Sequence, residues 1–159
     1  MAHLVLWRHG QTDHNVAGRV QGRVDIPLNE VGRAQAVSAA PRLAALRPSV
    51  IVSSPLQRAR QTAEALSAAT GVDVRVDQGL VERSFGMWEG LERARIEAGW
   101  PEQFAVWRAG GDPAGVGVET RGDAAARVGA ALGRIAAAAG EATVVVVAHG
   151  AAITLGTTR

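Results

Sequence analysis

Two histidines, each followed by a glycine, come directly after apolar segments at opposite ends of the chain. His9 follows the apolar residues 4–7, with Arg8 between them, and His149 follows the apolar residues 143–148. A neutral imidazole can attack phosphorus, and a neighbouring guanidinium can bind phosphate oxygens through paired hydrogen bonds. His9 is therefore the leading candidate for a nucleophile that takes up a phosphoryl group.

The composition removes most other routes to covalent chemistry. The chain has no Cys, Lys or Tyr, and all 17 of its Lys and Arg positions are Arg. This excludes a cysteine-dependent phosphatase, a thiolate zinc site, a Schiff base and a lysine-dependent phosphate loop. A metal site is not expected, because no HExxH, His-x-His or dense Asp pattern is present. The lack of a GxSxG motif excludes the nucleophile turn of the α/β-hydrolases.

Length, charge and hydropathy predict a single domain in the cytoplasm. The 159 residues correspond to one domain, and the net charge is only +2. No polybasic run is interleaved with aromatic residues, so a nucleic-acid partner is not expected. No apolar run reaches the roughly 20 residues of a membrane span, and no signal peptide is recognised, so we expect no membrane association. The abundance of Ala, Arg, Gly and Val is typical of a high-GC bacterial genome.

Apolar runs and helical periodicity alternate along the chain. Strands are predicted over residues 3–7, 50–52, 72–76 and 143–148. Helices are predicted over residues 30–46, 55–70, 91–98, 102–107 and 121–139. In the first helix we expect Asn29 as the N-cap and a kink or break at Pro41. The apolar positions expected to face the core include Val31, Ala34 and Val37.

The order of these elements predicts an α/β protein. The expected fold is a three-layer sandwich with a mostly parallel central sheet flanked by helices. Ligands of such sheets bind outside the carboxyl ends of the strands. His9, His149 and the pair at residues 53–54 all follow strands, and the helix after that pair carries Arg58. We therefore expect two histidines and two arginines, Arg8 and Arg58, to meet in an anion site.

Phosphoryl transfer also needs a proton donor for the leaving oxygen. Glu82, in the loop after the third predicted strand, is the best-placed carboxylate. Taken singly, these residues have ordinary explanations: a histidine after a strand is usually structural, Arg58 fits a solvated helix face, and Glu82 fits a surface loop. The repeated pattern of strand, histidine and glycine favours the functional interpretation.

Four segments together resemble the histidine phosphatase superfamily, the phosphoglycerate mutase-like family, over residues 4–153. The opening segment reads Arg-His-Gly-Gln-Thr at residues 8–12 and continues with Asn15, residues 19–22 and residues 25–28. The other three segments are residues 53–63, residues 80–90 with the acid, and residues 144–150 with the second histidine. The resemblance is to the phosphatase branch, because the stretch between the second segment and the acid is short.

The resemblance implies a role for each candidate residue. His9 would be the phosphorylated nucleophile, and Glu82 would be the proton donor and then the base for water. The residues implied in phosphate or substrate binding are Arg8, Asn15, Gln21, Gly22, Arg58, His149 and Gly150. Members of this family need no metal and no nucleotide, so no cofactor is expected.

Two features depart from the family pattern. Glu119 stands in a Val-Glu-Thr segment where many members have Gly-Glu-Ser, which leaves its role open. The chain also ends ten residues after His149, where members continue with a helix and further strand material. We therefore expect one domain over residues 1–159 that lacks its C-terminal part. Gly156 is expected to interrupt the final helix, which would leave an exposed apolar strip beside His149 and favour a homo-oligomer.

These observations predict a metal-independent phosphomonoesterase that hydrolyses a small phosphorylated metabolite through a phosphohistidine. Sugar phosphates, glycosylated phosphoglycerate and ribazole phosphate are all compatible substrates. One alternative is a phosphoglycerate mutase. Another is an inactive protein that binds a phosphorylated ligand, if the short C-terminus disables catalysis.

Overall fold

Four parallel strands form the centre of the molecule, in a computed structural model that describes residues 1–157. The strands are β1 (His3–Arg8), β2 (Val50–Ser53), β3 (Val74–Val76) and β4 (Thr143–Ala148), and their order in the sheet is β1-β4-β2-β3. All three neighbouring pairs are parallel. The predicted α/β fold with a parallel central sheet is confirmed.

Over residues 1–157, seven α-helices connect and cover these strands. They are α1 (Asp13–Ala17), α2 (Glu30–Ala44), α3 (Gln57–Thr70), α4 (Arg93–Gly99), α5 (Pro101–Arg108), α6 (Arg121–Ala139) and α7 (Gly150–Thr157). Short 3₁₀ helices span Gln78–Leu80 and Gly86–Trp88. Within residues 1–157, no helix combines the length and apolar character needed to cross a bilayer.

Strand β4 is buried on both faces, so the expected exposed strip beside His149 is absent from the described residues. Val144 and Val146 pack with Ala131 and Ile135 of α6. The alternate residues of the strand pack with side chains of α3 on the other face, among them Ala63. The expectation of an exposed strip was wrong because β4 lies between two neighbouring strands and two helical layers.

Helix α7 continues through Gly156, which corrects the expectation that this glycine interrupts it. A methyl group added to Gly156 would overlap the side chain of Val128 in α6. The missing side chain therefore lets α6 and α7 pack closely, and this packing stabilises a helix that would be marginal alone. On the same short helix, Ile153 is partly buried and Leu155 is buried.

Helix α2 differs from its prediction at Pro41 and in the residues that it buries. Its N-cap is as predicted: the Asn29 side chain accepts a hydrogen bond from the Gly32 amide at 2.8 Å. Pro41 lies inside the helix, which runs on to Ala44, because this proline falls in the last turn. The buried residues are the small ones, Gly32, Ala36 and Ala40. The expected core positions Val31 and Val37 are 52% and 66% exposed, and Ala34 is exposed as well. Small residues face inward because α2 packs closely against α3 and the turn after β1.

A second, smaller apolar cluster lies outside the sheet and supports the loops that follow β3. Its buried members are Phe85, Trp88, Ile96, Phe104, Val116 and Val118. The loop that carries Glu82 leads directly into this cluster, so one end of that loop is anchored away from the sheet.

Candidate active site

The ends of β1, β4 and β2 bring the predicted histidines together. The His9 amide donates to the Ala148 carbonyl at 3.2 Å, and the Ser54 amide donates to the Val147 carbonyl at 2.9 Å. The rings of His9 and His149 lie edge to face, with centroids 5.1 Å apart. Residues that are 140 positions apart in the sequence therefore share one end of the sheet, as the parallel topology requires.

One hydrogen bond fixes the tautomer of His9. Its Nδ1 lies 2.6 Å from the carbonyl oxygen of Gly10, which can only accept, so Nδ1 carries the proton and Nε2 carries the lone pair. Burial lowers the pKa of His9 to about 4; the bond to Gly10 opposes this shift, and the charges of Arg58 and Arg8 add to it. His9 is therefore a neutral imidazole near pH 7, the state in which Nε2 can act as a nucleophile.

The turn at Gly10 is held between two helices. The Gly10 amide donates to the Thr62 hydroxyl at 3.1 Å, and that hydroxyl donates to the carbonyl of Arg58 at 2.8 Å. A methyl group on Gly10 would lie only 2.5 Å from the Gly32 carbonyl oxygen of α2. Only glycine fits this contact, which fixes the position of the adjacent His9 ring.

His149 is fully buried and is oriented by Ser54. Its Nε2 lies 2.7 Å from the Ser54 hydroxyl, and its Nδ1 has no hydrogen-bond partner among residues 1–157. Burial lowers the pKa of His149 to about 2, and the charge of Arg58 adds to the effect. His149 is neutral at all ordinary pH values, and its unpartnered Nδ1 can bind a ligand.

Arg58, at the start of α3, is anchored by two backbone carbonyls. Its Nη1 donates to the carbonyl of Val24 at 2.5 Å, and its Nη2 donates to the carbonyl of Gly22 at 2.6 Å. The Nε atom is buried and has no partner in the described part of the chain. Burial lowers the pKa of Arg58 to about 10, while Glu82 opposes this shift, so the guanidinium stays charged near pH 7. Gly22 therefore contributes a backbone acceptor that positions Arg58.

Arg8 and Gly150 lie together at the mouth of this cluster. Arg8 is exposed, and its Cζ would be 3.2 Å from a methyl group added to Gly150. Glycine at this position therefore gives the guanidinium room across the start of α7. Arg8, His9 and Asn15 also line one cavity of about 260 Å³.

Asn15 and Gln21 are joined through Thr12. The Asn15 Oδ1 accepts from the Thr12 amide at 2.9 Å, so the Nδ2 group occupies the other side of the side chain. The Gln21 Oε1 accepts from the Thr12 hydroxyl at 2.6 Å. Among residues 1–157, neither amide nitrogen donates to a protein acceptor, which leaves both as donors for a ligand.

Glu82 is held by backbone amides. Its carboxylate accepts from the amides of Arg83 and Ala152 at 2.8 Å each and from the amide of Ala151 at 3.3 Å. Burial raises the pKa of Glu82, while these hydrogen bonds and the charge of Arg58 oppose the rise. The first turn of α7 therefore lies against the predicted proton donor, and burial favours its protonated form.

Glu119 belongs to the support of the Glu82 loop. Its Oε2 and Oε1 accept from Nε and Nη2 of Arg127 at 3.0 and 2.8 Å, and Oε1 also accepts from the Ser84 amide at 3.2 Å. Burial opposes ionisation of Glu119, but the hydrogen bonds and charge of Arg127 outweigh it and lower the pKa. Glu119 is therefore an ionised member of an ion pair.

Sequence reasoning missed three parts of this arrangement: Ser54 beside His149, Thr62 beside Gly10, and the amides of α7 beside Glu82. The position of Ser54 after a strand was a usable signal, because the sheet brings that strand end next to His149. Backbone amides leave no signal in the sequence. Within residues 1–157, no three His, Asp or Glu side chains are grouped so that they could bind a metal ion.

Comparison with known proteins gives a consistent result. A family model described as histidine phosphatase superfamily (branch 1) matches residues 4–159. The chain is 44% identical over 158 residues to glucosyl-3-phosphoglycerate phosphatase of Mycobacterium tuberculosis, covering 94% of this chain and 71% of that protein. It is 36% identical over 107 residues to phosphoserine phosphatase 1 of Hydrogenobacter thermophilus, covering 67% of this chain and 51% of that protein.

Solved structures agree with the sequence comparisons. The mycobacterial glucosyl-3-phosphoglycerate phosphatase complexed with VO3 superimposes with a TM-score of 0.87 at 45% identity. That alignment covers 96% of this chain and 78% of the solved one. The fold and the four sequence segments therefore point to the same group of proteins.

Proposed function

The chain belongs to the histidine phosphatase superfamily, and from this premise we propose that it hydrolyses a small phosphorylated metabolite through a phosphohistidine on His9. The observation that carries the proposal is a set of nitrogen atoms at the strand ends. The Nε of Arg58 and the Nδ1 of His149 are buried without a protein partner, and the Nε2 of His9 carries a free lone pair. Buried polar atoms are rarely left without a partner, so this set is suited to receive a ligand.

A phosphate group supplies what these atoms lack. Arg8 and Arg58 bring two positive charges to its oxygens, and the Nδ1 of His149 donates a further hydrogen bond in the tautomer whose Nε2 accepts from the Ser54 hydroxyl. Asn15 and Gln21 offer their amide nitrogens. These donors share the negative charge of the phosphate group. The arginines therefore supply the electrostatic stabilisation that other phosphatases obtain from a metal.

The reaction has two chemical steps. In the first, Nε2 of His9 bonds to phosphorus, the bond from phosphorus to the ester oxygen breaks, and Glu82 gives its proton to that oxygen. In the second, Glu82 takes a proton from water, whose oxygen attacks phosphorus, and the bond to His9 breaks. The products are an alcohol and inorganic phosphate, and His9 and Glu82 return to their starting states.

The class of substrate follows the relatives, whose names specify glucosyl-3-phosphoglycerate and phosphoserine. Both are small phosphate monoesters, and we extend only this class to the present chain. A mutase is less well supported: the chain is 38% identical over 110 residues to a probable phosphoglycerate mutase of Cronobacter sakazakii, which is a shorter match than the 158 residues shared with the mycobacterial phosphatase.

We extend the proposal to a single domain in a bacterial cytoplasm. Self-association is proposed through β1, an edge strand whose residues Leu4 and Leu6 are only partly buried. Light scattering of the purified protein tests the oligomeric state, and a monodisperse monomer would contradict this part.

One experiment separates the candidate functions. The protein is incubated with nitrophenyl phosphate, with a panel of phosphorylated metabolites, and with 2- and 3-phosphoglycerate. Release of inorganic phosphate from nitrophenyl phosphate and from at least one metabolite supports the proposal. Interconversion of the two phosphoglycerates without net phosphate release would show a mutase, and binding without turnover would show an inactive ligand-binding protein.

A further inference from the structure

We propose that Arg127 and Glu119 form a positioning pair that sets the orientation of the proton donor Glu82. This inference rests on the proposed role of Glu82 as the acid. Within residues 1–157, neither residue of the pair hydrogen-bonds to the phosphate-binding nitrogens described above. Both contact the backbone of the loop that carries Glu82, on either side of that residue.

Arg127 fixes the part of the loop that precedes Glu82. Its Nη1 donates to the carbonyls of Gly79 and Val81, at 2.9 and 2.7 Å. The Nε and Nη2 atoms of the same guanidinium form the two-pronged pair with Glu119. Arg127 lies on α6, which packs against the sheet, so the loop is attached to a rigid element.

Glu119 fixes the part of the loop that follows Glu82. Its backbone amide donates to the Ser84 carbonyl at 2.8 Å, and its side chain accepts from the Ser84 amide at 3.2 Å. The carbonyl of Glu119 accepts from Nε of Arg83 at 2.7 Å. The two residues after Glu82 are therefore held by Glu119 through three hydrogen bonds.

Arg23 contacts both Glu82 and Glu119. Its Nε donates to the carbonyl of Glu82 at 3.2 Å, and its Nη2 lies 3.5 Å from the Glu119 carboxylate. The Glu119 carboxylate therefore lies near two positive charges, those of Arg127 and Arg23. Hydrogen bonds therefore hold the backbone before Glu82, at Glu82 and after it. The carboxyl group of Glu82 is directed to the α7 amides.

A second ion pair on α6 shows what an ordinary surface pair looks like on this helix. Arg134 and Asp77 are 3.1 Å apart, with side chains 60% and 21% exposed. The side chains of Arg127 and Glu119 are 22% and 14% exposed. A partly buried, two-pronged pair is more sensitive to loss of one partner, because the remaining charge is left uncompensated.

The expected function of the pair follows from the geometry of proton transfer. A general acid must lie within roughly 2.6–3.2 Å of the oxygen that it protonates, so a small rotation of the loop reduces its effect. His9 and Arg58 lie outside this loop, after β1 and at the start of α3, so such a rotation is expected to disturb phosphate binding less than proton transfer. Loss of the pair is therefore expected to impair turnover of substrates whose leaving oxygen needs a proton.

The test compares leaving groups in variants of the full chain. We would measure kcat/KM for nitrophenyl phosphate, whose leaving group is stable as an anion, and for glycerol phosphate, whose leaving group is not. The variants are Arg127→Gln, Arg127→Lys, Glu119→Gln and, as the matched control on the same helix, Arg134→Gln. Thermal unfolding and the inhibition constant of inorganic phosphate are measured for each variant.

Arg127→Gln is expected to lose roughly 10- to 100-fold on glycerol phosphate and clearly less on nitrophenyl phosphate, with little change in phosphate inhibition. Arg127→Lys and Glu119→Gln are expected to lose less, since each keeps part of the network. Arg134→Gln removes only an exposed pair with Asp77 at the start of the same loop and is expected to change both rates far less. Equal losses on both substrates for Arg127→Gln, together with weaker phosphate inhibition, would overturn the inference.

Failure of this inference can be told apart from failure of the proposed mechanism by including Glu82→Gln. If Glu82→Gln loses selectively on glycerol phosphate but the Arg127 and Glu119 variants do not, only the positioning role is wrong. If Glu82→Gln itself shows equal losses, the acid assignment is wrong and the inference falls with it. If Arg127→Gln does not unfold cooperatively, the comparison is made on Arg127→Lys and Glu119→Gln, with the same deciding outcomes.

Discussion

The two sides of the proposed active site are built in different ways. The phosphate side consists of His9, Arg58 and His149, which are 8%, 1% and 0% exposed and come from strand ends or the helix after β2. The acid side consists of Glu82 and its supporting pair, Arg127 and Glu119, and it depends on a loop that hydrogen bonds attach to α6 and to the segment just before it. Sheet topology positions the first side, and contacts of one loop with α6 and α7 position the second.

This difference matches what each side must recognise. Every substrate of a phosphatase brings the same phosphate group, so a buried and fixed set of donors serves all of them. The leaving group differs among substrates, and loops can change without disturbing the sheet. Substitutions on the phosphate side should therefore affect all substrates alike, whereas substitutions on the acid side should affect them unequally.

The largest effect is expected for His9→Ala. Removal of the nucleophile should lower kcat by roughly 10⁴-fold or more on every substrate. In the unaltered protein, brief reaction with labelled substrate should trap an acid-labile, base-stable phosphoryl group on His9. Label on Ser53, Ser54 or a carboxylate would show that the nucleophile is a different residue.

Glu82→Gln is expected to affect substrates unequally, as a substitution on the acid side should. Without the acid, kcat on alkyl phosphates should fall by about 10²-fold or more, and much less on nitrophenyl phosphate. Rates are compared on both substrates at the same pH. A loss of the same size on both would mean that Glu82 supports the structure instead of donating a proton.

Ser54→Ala should weaken the phosphate side without abolishing it. Loss of the hydrogen bond to His149 should cost about 1–2 kcal/mol, which lowers kcat/KM by roughly 5- to 30-fold. The decrease should be the same for alkyl and aryl phosphates. Ser53→Ala is the matched control, because the Ser53 hydroxyl donates to the neighbouring Ser54 carbonyl and not to His149. If the two variants behave alike, Ser54 has no special role in orienting His149.

The buried histidines should make stability depend on pH. Their folded-state pKa values are about 4 and about 2, below the ordinary 6.5, so the unfolded chain binds more protons as the pH falls below 6.5. The free energy of unfolding should therefore decrease from pH 6.5 towards 4, by up to about 1.4 kcal/mol per pH unit for each histidine.

Urea unfolding above about pH 5, where most carboxylates stay ionised, measures this dependence. His9→Asn should make the slope smaller, and His3→Asn, at an exposed position, should leave it unchanged. An identical slope in all three proteins would show that His9 is not neutral in the folded state.

The smallest effect is expected for removal of metal ions. Exhaustive treatment with EDTA should leave kcat unchanged, because in the proposed mechanism arginines neutralise the phosphate charge. Vanadate and inorganic phosphate should inhibit competitively. Loss of activity that is restored by Mg²⁺ or Zn²⁺ would contradict the metal-independent mechanism.

The sequence predicts the phosphate side better than the acid side. An apolar strand followed by His9, and another followed by His149, is enough to place both at one sheet edge, because parallel strands end together. The contacts of Glu119 and Arg127 with residues 79–84 depend on how the loop after β3 folds back onto the start of α6, and no local pattern encodes that arrangement.

Errors in the predicted elements also have a physical cause. Helical periodicity selects large apolar residues such as Val31, but α2 buries Gly32, because the backbone of Gln11 in the turn after β1 leaves no room for a side chain there. The same holds for Gly156, which looks like a helix breaker until its contact with Val128 is known.

Helix α7 carries a consequence for efforts to redesign this enzyme. It starts immediately after His149, and its amides at Ala151 and Ala152 bind the Glu82 carboxylate. A single short helix therefore links the proposed phosphate-binding residue His149 to the proposed proton donor Glu82. Substitutions that reorient α7, including a larger residue at Gly156, would alter affinity and pH optimum together. Directed evolution of a new substrate preference should leave this helix untouched and vary the loops beyond Glu82.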